Sequence, residues 1–161
     1  MTPRVKAAAG SFAFLVVVPG VVAGAIPYWL TGWDAAGNIP TVQVALGAAL
    51  VMAGVAVLLD AFGRFVVEGL GTPAPIAPTE HLVVGGLYRY VRNPMYVAVA
   101  TAIVGQAVLL GRPGLVVYAV AFGVAVWSFV RLYEEPTLAA RYGAEYEAYR
   151  RMVPGWWPRR S

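Results

Sequence analysis

Hydrophobic positions gather into four long runs, at about 9–30, 41–62, 95–111 and 114–132, and the polar positions between them are short or irregular. Each run approaches the roughly 20 apolar residues that an α-helix needs to cross a hydrocarbon core about 30 Å thick. The pattern predicts an all-α integral membrane bundle of about four transmembrane helices. After the fourth run, Leu138, Tyr142, Tyr146 and Tyr149 recur at spacings of four, four and three. That period predicts a C-terminal amphipathic helix lying on the membrane surface. Trp156 and Trp157 then close the chain at headgroup depth.

The runs differ in detail. In the first, Pro19 should kink the helix. Its basic start and the Ala23-Gly24-Ala25 triplet also admit a signal-peptide reading. Ile26 to Leu30 continues the apolar run into Tyr28, Trp29 and Trp33, an interfacial belt that favours a retained span. In the second, Gly47 and Gly54 lie two turns apart and predict close approach of another helix, while Asp60 at its end reads as an interfacial anchor. Thr101, Gln106 and Ser128 lie inside the last two spans, where helix-to-helix hydrogen bonding accounts for them.

Charge adds an orientation. Eleven of the twelve basic residues lie before the first run, between the second and third, or from the end of the fourth onward; the opposite loops, 31–40 and 111–113, carry only Asp34 and Arg112. The asymmetry predicts that both termini and the long middle loop face the cytosol. The net charge of +4 then reflects orientation and anionic headgroups, and a nucleic-acid-binding role is excluded. With no cysteine and one histidine, His81, thiolate catalysis and a protein-built metal site are not expected.

Candidate chemistry lies on the predicted cytosolic side. From Gly63 to Tyr90 prolines and glycines break helical periodicity, and an irregular segment of this length is more often functional than filler. Asn93 is placed to cap a helix beginning at Pro94, with amides there free to face an anion. Glu134 and Glu135 stand at the bilayer edge, where carboxylates are costly unless solvated or partnered; Pro136 suggests that a new helix starts beside them.

These residues carry a resemblance. Gly69-x-Gly71-Thr72-Pro73-Ala74-Pro75, His81-Leu82-Val83-Val84-x-Gly86-x-Tyr88, Arg92-x-Pro94-x-Tyr96, Glu134-Glu135-x-x-Leu138, Tyr142-Gly143-x-Glu145-Tyr146-x-x-Tyr149 and Val153-Pro154 follow in order. The run resembles the isoprenylcysteine carboxyl methyltransferases and the related phospholipid methyltransferases over roughly 90 residues from Gly69 to Pro158.

The resemblance implies a single transmembrane methyltransferase domain over 1–161, with S-adenosylmethionine held by cytosolic segments at about 69–96 and 131–158. A carboxylate, Glu134 or Glu135, suits the ribose diol as a charge-assisted acceptor. The backbone from His81 through Leu82 and Val83 to Gly86 suits the methionine part and the adenine edge, and Tyr88, Tyr96 and Leu138 supply walls. Asn93 and Pro94 complete the cofactor set.

Arg92 would position an anionic group of the acceptor, and Glu135 could orient or deprotonate an amine. The acceptor implied is lipophilic, an isoprenoid carboxylate or a phospholipid-like molecule, met among membrane lipids. Asn93 replaces the histidine that many members carry, which weakens any mechanism needing a histidine base. One Lys against eleven Arg, with the Ala, Gly and Val bias, points to a GC-rich bacterial genome and hence a bacterial plasma membrane. A membrane reductase using a nicotinamide cofactor and a non-catalytic lipid-binding protein are the competing readings.

Overall fold

The computed structural model describes residues 3–68 and 79–158, without the side chains of residues 3–8 and 11. The Gly69 to Pro75 motif therefore lies outside the described residues. Helix α1 (Pro3–Gly20) continues through a π-helical turn, Val21–Ala25, into α2 (Ile26–Thr31); α3 spans Thr41–Val67, α4 Pro94–Leu110 and α5 Gly114–Phe129. A second π turn, Val130–Glu134, leads into α6 (Glu135–Tyr142), and α7 (Ala144–Met152) follows.

Among the described residues, Phe12–Thr31, Thr41–Val67 and Gly114–Tyr142 are long and apolar enough to cross a membrane, and α4 is a shorter apolar helix. The 17 residues of α4 reach about 25 Å at 1.5 Å each, the lower limit for a span. Valines 17, 55, 117 and 124, with Leu46, lie exposed on the outer faces, which in an integral membrane bundle face acyl chains. The second span runs to Val67, beyond the expected end at 62, because Ala61, Phe62 and Phe65 still bury an apolar face there.

The bundle centres on α4, whose Ala98, Ile103 and Ala107 are buried. Glycines let α3 lie against it. A Cβ on Gly54 would stand 2.7 Å from the Ala98 carbonyl oxygen, one on Gly105 would stand 2.8 Å from the Val51 nitrogen, and one on Gly47 would collide with the Leu109 backbone. Close packing at small residues is what holds helices together where lipid offers no hydrophobic advantage.

The first span departs from α geometry at Val21–Ala25 rather than at Pro19. Pro27 is the physical cause. Lacking an N–H, it cannot serve the carbonyls of Ala23 and Val22, four and five residues earlier. Gln106 Nε2 donates to Ala23 O at 2.7 Å, and the Tyr118 hydroxyl donates to Val22 O at 2.8 Å. Gln106 also accepts from Trp33 Nε1 at 3.1 Å, so it joins helices as expected. Thr101 and Ser128 instead bond back to Val97 and Val124 of their own helices.

Candidate functional site

At the predicted cytosolic end, the spans leave a cavity of about 300 Å³, the lower end of the range for small-molecule sites. Its apolar wall comes from the spans: Phe14 of α1, Phe65 of α3, Phe129 at the end of α5, and Val130 and Tyr133 of the π turn that follows. Phe129 and Tyr133 are also partly exposed, and their rings pack 5.3 Å apart, centroid to centroid. Tyr88, Arg92, Asn93 and Tyr96 form a second wall, and α6 and α7 contribute Leu138, Arg141, Tyr142, Tyr146 and Tyr149.

The C-terminal stripe is not a membrane-surface face. Gly143, at φ 52 and ψ −125, separates α6 from α7. Tyr146, Tyr149 and Val153 then pack with Leu82, Leu138 and Tyr142, so the predicted stripe roofs the cavity. The Tyr149 hydroxyl donates to the Tyr88 carbonyl at 2.7 Å, and the Tyr142 hydroxyl to the Thr79 carbonyl at 2.8 Å. Arg141 Nη2 donates to the same Thr79 oxygen at 2.9 Å. Burial pushes the Tyr88, Tyr146 and Tyr149 hydroxyls above the ordinary tyrosine range.

The beginning of α4 is occupied differently from the sequence expectation. Asn93 stands at the N-cap position, but its side chain makes no cap bond; Nδ2 donates to the Gly155 carbonyl at 3.1 Å. The backbone amides of Arg92 and Asn93 donate to Pro154 O and Gly155 O. Those amides seat the chain after α7, and Trp156 comes to lie 6.4 Å, centroid to centroid, from Tyr96.

The two glutamates lie within a helix that runs unbroken from Gly114 to Tyr142. Pro136 starts no separate helix, because the π turn absorbs its missing N–H: the Glu135 amide reaches the Val130 carbonyl instead. Glu134 Oε2 accepts from the Tyr96 hydroxyl at 2.9 Å. Glu135 is 8% exposed and meets three guanidiniums, with Arg92 Nη2 at 3.1 Å from Oε1 and Arg131 and Arg150 each at 3.6 Å from Oε2. Arg92 Nη1 donates to the Tyr146 hydroxyl at 3.1 Å, while its buried Nε has no partner among the described residues.

Of the sequence-predicted residues, Leu82, Val83, Tyr88, Arg92, Asn93, Tyr96, Glu134, Glu135 and Leu138 line one cavity. Three others do not. His81 is exposed and Pro94 is buried at the start of α4. Gly86, at φ 55, lies against Arg64 on the far side of the 3₁₀ turn Gly86–Arg89. Arg64 and Glu68 form an ion pair whose carboxylate accepts from the Gly85 amide at 2.9 Å, and Asp60 joins Arg64 at 3.7 Å. Gly86 thus serves the turn that carries Tyr88. Sequence reasoning missed Phe14, Phe65 and Thr79, and assigned Tyr142, Tyr146 and Tyr149 to lipid. Their period of three to four signalled a buried face without saying what buried it.

An integral membrane helix bundle with a mixed apolar and charged cavity at one end is the class this geometry defines. The family model described as phospholipid methyltransferase matches residues 42–145, well over half of the chain, and the protein belongs to that family. The chain is also similar to a Schizosaccharomyces pombe protein named protein-S-isoprenylcysteine O-methyltransferase, 37% identical over 79 residues. That alignment covers 47% of this chain and 32% of the relative, so it spans about a third of the relative's length. No solved structure matches the chain.

Proposed function

We propose that the protein, as one domain, transfers the methyl group of S-adenosylmethionine to a lipophilic acceptor at the cytosolic face of a bacterial plasma membrane, with both termini cytosolic. The observation that carries this reading is the cavity itself. Carboxylates and a guanidinium stand at one side, and apolar side chains of the spans, among them Phe14, Phe65, Phe129 and Val130, wall the other. A charged, soluble cofactor and a membrane-borne acceptor need two such different faces in one space.

The residues suit the cofactor. Glu134, oriented by Tyr96, offers a carboxylate to the ribose diol, the strongest class of hydroxyl acceptor. The backbone of Leu82 to Val84 pairs with no other backbone group among the described residues, leaving amides and carbonyls for the methionine part and the adenine edge. Tyr88, Tyr96 and Leu138 give the aromatic and apolar walls. When bound, S-adenosylmethionine supplies an electrophilic methyl group on a cationic sulfonium.

The protein's task is then alignment, which in well-oriented systems lowers a barrier by about 7–11 kcal/mol. Arg92, which lines the cavity, is placed to hold an anionic group of the acceptor. A carboxylate or phosphate fits its fork. Glu135 adjoins it, and Asn93 keeps the segment seated on Gly155.

The test is incubation of the protein in lipid nanodiscs with methyl-labelled S-adenosylmethionine and extracted bacterial lipid, followed by identification of the labelled product. Label in a lipid fraction, lost in Glu134→Ala, is expected. Absence of label together with binding of a nicotinamide dinucleotide in place of S-adenosylhomocysteine would overturn the reading. Arg89, whose charge a phosphorylated nicotinamide cofactor would want, lies outside the cavity beside Gly86.

A further inference from the structure

Tyr146 is 1% exposed and sits in an apolar cluster with Tyr149, Val153 and Leu138. Packing alone would be satisfied by phenylalanine. A hydroxyl buried there is costly unless it is hydrogen-bonded, and the bond it makes is to Arg92 Nη1. Glu135 takes the other terminal nitrogen of the same guanidinium. One carboxylate from α6 and one phenol from α7 therefore grip both ends of a side chain that is only 14% exposed.

Glu135 is poorly placed to act as a base. Arg92, Arg131 and Arg150 all lie within 3.6 Å of its oxygens, so those oxygens already face three guanidiniums. Arg92 and Arg141 are guanidiniums that line the cavity itself, and an anion entering it meets them.

We infer that Tyr146 and Glu135 are the positioning residues of Arg92, and that the fork they hold selects acceptors carrying an anionic group. The inference rests on reading the cavity as the acceptor site. Tyr146 touches the acceptor's selection only through Arg92; a phenylalanine in its place keeps the roof packed and lets the guanidinium turn away.

The test measures binding of three probes of equal chain length, dodecyl phosphate, dodecanoate and dodecanol, to the whole protein in nanodiscs. The native protein is expected to bind one or both anions at least about tenfold more tightly than the alcohol, the worth of one hydrogen bond between charged partners. Tyr146→Phe should erase most of that preference. Val153→Ala loosens the same cluster without touching Arg92 and should keep the preference. The phosphate and carboxylate arms show which anion is read.

No anion preference in the native protein, an undiminished preference in Tyr146→Phe, or an equal loss in Val153→Ala would each overturn the inference. Binding of S-adenosylhomocysteine, measured on the same samples, separates the two readings. Its failure in the native protein removes the methyl-transfer proposal while the anion result still judges Tyr146.

Discussion

Removing the Glu135 carboxylate should destabilise the protein far more than removing Glu135 and Arg92 together. The pair is largely buried, at 3.1 Å, and breaking a buried pair by deleting one partner costs about 3–5 kcal/mol because the other charge is stranded. Arg131 and Arg150 are half exposed, so each of their contacts adds under about 1 kcal/mol. Arg92 also keeps its bond to Tyr146 and some access to water. Glu135→Ala should therefore cost about 2–4 kcal/mol.

Replacing both charges with apolar side chains, Arg92→Met with Glu135→Leu, should recover more than half of that, because no charge is then left buried. The assay is SDS-induced unfolding of bicelle-reconstituted protein followed by circular dichroism, run as a double-mutant cycle. A loss below about 1 kcal/mol in Glu135→Ala, or strict additivity of the two substitutions, would refute the claim that the charges are buried as a pair.

Gly54→Ala should cost about 1–3 kcal/mol by forcing α3 from α4, whereas Gly123→Ala, which meets nothing within 4 Å, should cost nothing; the same unfolding assay decides. Gln106→Leu should cost about 1–3 kcal/mol by orphaning the Ala23 carbonyl, and adding Pro27→Ala should return part of it by restoring an N–H. Burial raises the Tyr88 and Tyr149 hydroxyls in the folded state, so their contribution to stability is fully present below about pH 10 and is lost as pH climbs through the higher folded values. Thermal unfolding between pH 8 and pH 12, with phenolate absorbance recorded alongside, should show stability falling only on the alkaline side; a fall already under way at pH 8 would argue against buried, neutral phenols.

The spans were legible because lipid imposes length and apolarity on each helix separately, and Gly47 and Gly54 announced the α3–α4 contact because a missing side chain allows only one thing there. Glu134 and Glu135 were legible by a different route, as charges at a boundary that tolerates few, and Arg92 only through the resemblance of its motif. What the sequence concealed were choices between partners. Asn93 has the composition of a helix cap, yet Gly155 takes its amide; the competition between a local and a distant acceptor cannot be read locally. The tyrosine stripe could face lipid or protein, since both are apolar, and its burial against Leu82 and Val153 depends on the turn at Gly143.

The proline two residues beyond each π turn explains why one helix can line the cavity for so long. Phe129, Val130, Tyr133, Glu134, Thr137, Leu138, Arg141 and Tyr142 all contribute to the wall, in pairs that repeat every four residues. In a regular α-helix a four-residue repeat turns roughly 40° away from its face at each step, which would carry Arg141 and Tyr142 out of the cavity. The π turn at Val130–Glu134 takes one more residue per turn and cancels most of that drift, so apolar span residues, both carboxylates and the α6 side chains share a single face. Pro27 produces the same distortion in the first span, where Gln106 and Tyr118 absorb the freed carbonyls. There the device joins helices; at Pro136 it aims Glu134 and Glu135 into one space with Tyr96 and Arg92.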